Sequence, residues 1–141
     1  MRNSMQAAKA YSNMGKQGAA EDASPHRLIT LLFDGALERI HAARGAMERN
    51  DIATKGALIS RAITIVDGLR ASLNLEAGGD VASNLKDLYD YMETRLFEAN
   101  LSNAPAMLDE VAGLLGTIRE GWVGIAEEAA KASDQQQPSN A

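Results

Sequence analysis

A chain of 141 residues without a single Cys, 45% hydrophobic but only 4% aromatic, can bury one core but cannot rest on disulfides or thiolate chemistry. A core made of Leu, Ile, Val, Met and many Ala favours helices over sheets, which are rich in aromatic and β-branched residues. The formal charge of -5, with Lys and Arg scattered singly among acids, argues against a nucleic-acid partner.

Residues 1–23 mix Ala, Ser, Asn, Gly and Gln around one large residue, Tyr11, and are expected to form a flexible arm. They lack the apolar run of a secretory signal, and no later segment is long and apolar enough to span a bilayer. The expected compartment is therefore the cytosol, with no membrane insertion.

Ser24-Pro25 is a helix start: the Ser hydroxyl can accept an orphan backbone N–H, and Pro needs none at the first helical position. From Leu28, the residues Ile29, Leu32, Phe33, Ala36, Leu37, Ile40, Ala43 and Met47 recur mostly at three and four, the period of a helix that runs to about Arg49. Asn50 and Asp51 then read as a left-handed stop followed by an N-cap, a tight link that makes the next helix an antiparallel neighbour.

The second helix carries Ile52, Ile59, Ala62, Ile63, Val66, Leu69 and Leu73 on one face and is expected to stop at Gly78-Gly79. Asp80 is read as the cap of a third, which carries Val81, Leu85, Leu88, Tyr89, Met92 and Leu96 and closes near Asn100. Pro105 opens the fourth, with Leu108, Val111, Leu114, Leu115, Ile118, Trp122 and Ile125 along it. The reading is all-α: an antiparallel up-down-up-down four-helix bundle over residues 24–131, followed by a disordered tail, 132–141.

Chemistry is poorly represented. Glu38-Arg39-Ile40-His41 matches the Glu-x-x-His unit of carboxylate-bridged di-metal bundles, but His26 offers no second copy, and Leu37 with Ile40 turn Glu38 and His41 away from the core centre. The acid pairs Asp87 with Asp90 and Glu127 with Glu128 read as solvated charges. No serine has a base marked beside it, and Gly78-Gly79 lacks the Lys of a phosphate loop. No enzyme and no cofactor is expected; a di-metal carboxylate enzyme and a self-associating structural bundle stand as the alternatives.

Apolar surface is better represented. The apolar arc of the first helix spans about 180°, against roughly 100° for a helix facing one core. Leu31 falls beyond that arc, Leu58 and Ile65 form an edge on the second helix, and Tyr91 and Phe97 project off the stripe of the third. Such edges suit an amphipathic partner helix, although a helix packed between two neighbours accounts for a wide arc equally well.

The run ASPHRLITLLFDGALERIHAARGAMERND resembles the first helix of the flagellar export chaperone family FliS. Gly78-Gly79-Asp80, Asn84-Leu85 and LYDYMETRLFEAN are similar to that family's most recognisable stretch, and LDEVAGLLGTIREGW to its last helix, ending in Trp122. The resemblance covers about residues 5–130, with Phe33 where Tyr is usual and a longer, Gly-containing spacer between Tyr11 and Ser24.

The resemblance implies a cytosolic chaperone that binds the C-terminal segment of flagellin, prevents premature polymerisation and hands the cargo, as a complex, to the flagellar export gate. It assigns Tyr11 to the binding groove. The residues proposed from the sequence to line that groove are Tyr11, Leu28, Leu31, Leu58, Ile65, Tyr91 and Phe97, and a homodimer of the free protein is left open.

Overall fold

In a computed structural model, the described residues are 24–136 for the backbone and 24–125 for the side chains. They form the four expected helices: α1 (Pro25–Glu48), α2 (Ile52–Ala71), α3 (Leu75–Ser102) and α4 (Pro105–Gln136). The proposed arm lies outside the described residues, as do positions 137–141 of the proposed tail; α4 continues five residues past 131.

The first two boundaries follow from local chemistry. Ser24 is extended, and its hydroxyl accepts the Arg27 N–H at 3.1 Å, with Pro25 directly behind it. At the far end Asn50 turns left-handed (φ 58°), and the Asp51 N–H reaches back to Ala46 O at 2.9 Å. Asp51 then caps α2 by accepting the Thr54 N–H, and the Thr54 side chain together with that N–H holds its carboxyl below the usual range.

The next boundary departs from the sequence reading. Helix α2 ends at Ala71 and not at Gly78-Gly79, and Asn74 rather than Asp80 caps α3, its Oδ1 accepting the Ala77 N–H at 3.0 Å. Ser72 and Asn74 supply polar side chains that satisfy backbone groups at this turn, so the chain reverses without needing glycine.

The glycines serve a different purpose. Gly79 adopts φ 52°, ψ -132° and kinks α3 one turn after its start, a conformation that L-residues disfavour. At Gly78 a Cβ would lie 2.6 Å from the Ala82 Cβ, so the kink needs both positions bare.

Helix α3 ends on a left-handed Asn103 (φ 54°), where the Ala104 N–H bonds Ala99 O, and Pro105 opens α4. Each helix packs on its sequence neighbour and α1 closes the ring on α4; among the described residues neither diagonal pair packs. The core draws one stripe from every helix, including Leu32, Phe33 and Ile40, Ile59 and Val66, Met92 and Leu96, Leu108 and Leu115. Each such side chain, fully buried, contributes on the order of 1.5–3 kcal/mol.

Ion pairs set the helix register at the surface. Arg44 bonds Asp109 at 2.7 Å and Arg119 bonds Asp34 at 2.6 Å between α1 and α4, while Arg70 reaches Asp90 at 3.1 Å between α2 and α3. Exposed pairs of this kind add little stability, so they orient helices that the core already holds.

Candidate groove at the kinked end of the bundle

Where the α2–α3 turn meets the start of α1 and the later part of α4, the bundle does not close. An apolar groove of about 620 Å³ opens between α1, α3 and α4. Phe33 and Tyr89 are buried at its base, Leu85, Ile118 and Trp122 form half-buried walls, and Val81 (70% exposed) and Ile125 (60% exposed) stand on its rim.

The kink accounts for the opening. Gly79 redirects the first turn of α3, so Ala77 and Gly78 form one wall next to Leu73 and Asn74 in place of continuing the bundle. The base of the groove carries no charge: Phe33 has none, and burial pushes the Tyr89 hydroxyl, already neutral at physiological pH, up to about 12. An uncharged apolar trough of this volume suits the nonpolar face of a peptide.

The opposite wall is held by an unusual contact. The His26 and Trp122 rings stack with centroids 4.3 Å apart and planes 3° from parallel. His26 Nε2 donates to Trp122 O at 2.8 Å, and Trp122 Nε1 donates to His26 O at 3.2 Å. The carbonyl partner requires the hydrogen on Nε2, which sets the tautomer of a neutral ring.

The residues proposed from the sequence fare differently. Leu31 (8% exposed) and Ile65 (7% exposed) are buried, so in this conformation they offer a partner no surface, and Leu58 is half-buried against the core. Ile65 belongs to the core cluster and Leu58 packs against it, as the two-neighbour reading of a wide arc allows.

Leu28 is half-buried and does not line the groove. Tyr91 and Phe97 are exposed, as expected, but on the later part of α3 and away from the groove. The Tyr91 hydroxyl donates to Glu110 at 2.6 Å, beside the Arg95 guanidinium, which bonds the same carboxylate at 2.8 Å. Tyr11 lies outside the described residues.

The groove lining itself, Val81, Leu85, Ile118, Trp122 and Ile125, was read from periodicity as core. The available signal was the Gly78-Gly79 pair two residues before Val81, because a break there stops α3 from following α4 to its end. Glu38 and His41 are both exposed, and among the described residues no group of three His, Asp or Glu is placed to hold a metal.

The described residues thus form a four-helix bundle with an open apolar groove, an architecture that can seat the nonpolar face of another polypeptide. A sequence profile of the family described as Flagellar protein FliS matches residues 7–129. The chain is 52% identical over 121 residues to the flagellar secretion chaperone FliSB of Pseudomonas aeruginosa, covering 86% of this chain and 96% of the relative.

It is 47% identical over 122 residues to the flagellar secretion chaperone FliS of Salmonella typhimurium, covering 86% and 90% of the two chains. With the corresponding protein of Bacillus subtilis it shares 32% identity over 107 residues, covering 76% and 79%. The chain belongs to the FliS family. Among the described residues no helix is long and apolar enough to cross a membrane.

Proposed function

We propose that this protein is a flagellar secretion chaperone that binds the C-terminal segment of flagellin in the cytosol, keeps it from polymerising early and hands it to the flagellar export apparatus. The observation that carries this reading is the groove between α1, α3 and α4, apolar and open along its rim, in a member of a family whose relatives bear that name.

The physical case is one of exchanged surfaces. A newly made amphipathic segment with no partner exposes an apolar face that drives association, and a preformed groove covers that face without requiring the segment to fold independently. Capture needs no covalent step and no cofactor.

Titration calorimetry of the full chain against a flagellin C-terminal peptide of about 40 residues tests this, with an expected Kd in the micromolar range or tighter. The heat-capacity change should be negative, because apolar area leaves water on both partners. Absence of binding by folded protein overturns the reading, and a heat-capacity change near zero places the contact on polar surface outside the groove.

A further inference from the structure

We propose that His26 is a positioning residue for the groove: its ring and its Nε2–H hold the Trp122 indole in place as the α4 wall against which the partner segment packs. The inference rests on the groove being the binding site for the flagellin segment.

Three interactions join residues 96 positions apart, two of them at the Trp122 indole and one at its backbone carbonyl. The stack fixes the plane of the indole, its Nε1–H bond to His26 O fixes its rotation within that plane, and the His26 bond to Trp122 O fixes the backbone from which it projects. The His26 carbonyl also accepts the Thr30 hydroxyl at 3.1 Å, tying the clamp into the first turn of α1.

The need for such a clamp follows from the fold. The groove separates α3 from the later part of α4, so this stretch of α4 is held by α1, through the clamp and through Arg119 to Asp34 one turn earlier. An indole carries one of the largest apolar surfaces of any side chain, and its value to a partner depends on its being held in the bound orientation before binding. Without the imidazole, only the Nε1–H bond to the residue 26 carbonyl restrains the indole, which can then tilt into the trough or out to solvent, and either movement removes part of the wall.

The test uses the full chain as wild type and as His26→Ala, His26→Gln and His26→Phe. Trp122 is the sole tryptophan, so its emission reports the position of that one ring. In free His26→Ala the emission shifts to the red and acrylamide quenching rises, and affinity for the flagellin C-terminal peptide falls about tenfold. His26→Gln, whose amide can still donate to Trp122 O, stays within about threefold of wild type.

His26→Phe, which keeps a stacking ring but loses the donor, binds more weakly than His26→Gln. A residue important only for stability would lower the melting temperature and leave both the affinity of the folded protein and the Trp122 emission unmoved. Should His26→Ala fail to fold, the order of the Gln and Phe variants decides.

Wild-type binding with equal affinity in His26→Ala sinks the inference while sparing the chaperone reading. So does a Trp122 emission indifferent to the substitution. Absence of binding by wild type removes both.

Discussion

Lys55 Nζ donates to Asn103 Oδ1 at 3.1 Å, joining the first turn of α2 to the left-handed residue that ends α3. The same ammonium donates to Asn100 O, also at 3.1 Å, so a side chain only 5% exposed closes the end of a helix that is not its own. Lys55→Met retains the stem but leaves both acceptors without that donor. Urea denaturation should show a loss of about 1–3 kcal/mol, and a change near zero would mean that water replaces the ammonium at no cost.

Gly79 provides a second test. Its φ of 52° with ψ of -132° lies where only glycine sits without strain. Gly79→Ala should destabilise the protein by about 1–3 kcal/mol, measured by chemical denaturation. If the variant relaxes by straightening α3, the groove changes shape and peptide affinity falls as well.

Core and groove positions should separate cleanly. Ile65→Ala removes a side chain packed in the core and should cost about 2–5 kcal/mol. Val81→Asp, on the exposed rim, should shift stability by no more than about 0.5 kcal/mol while weakening flagellin peptide binding at least roughly tenfold. Equal losses of stability in the two variants would contradict the assignment of Val81 to a free rim.

The pH dependence of stability should carry a signature of Glu93. Its Oε2 is buried, 3.6 Å from Arg70 Nε, and has no hydrogen-bond partner among the described residues. Burial, reinforced by the Asp67 and Asp90 carboxylates and opposed by Arg70, raises its carboxyl above the ordinary 4.5.

A raised value means that the folded state binds this proton more tightly than the unfolded chain does. The favourable contribution is therefore complete below the unfolded value and is lost as pH rises through the folded one. Glu93→Gln should raise stability at neutral pH by about 1 kcal/mol or less, and the gain should vanish below pH 4.5, where both states hold the proton. Thermal melts of the two proteins across that range provide the measurement.

Most helix ends were legible in the chain because capping is short-range chemistry. Ser24, Asn50, Asp51 and Pro105 act on backbone groups within a few residues, and all four do what their positions suggest. The exception is also local: the turn at Ser72 and Asn74 has its own side-chain hydrogen bonds and needs no glycine.

The groove could not be read in this way. Periodicity reports which face of a helix is apolar, but Leu85, Ile118 and Trp122 have the same phase as true core residues. Whether such a face meets a neighbour or an opening depends on where two helices diverge, and here that depends on the backbone of Gly79.

The reverse holds at Ile65, which was placed on an edge of α2 and yet belongs to the core, because a helix between two neighbours has more than one inward side. Local sequence was thus enough for most helix ends and, through resemblance, for the family. The groove arises from packing between residues as distant as His26 and Trp122, whose contact no local pattern encodes.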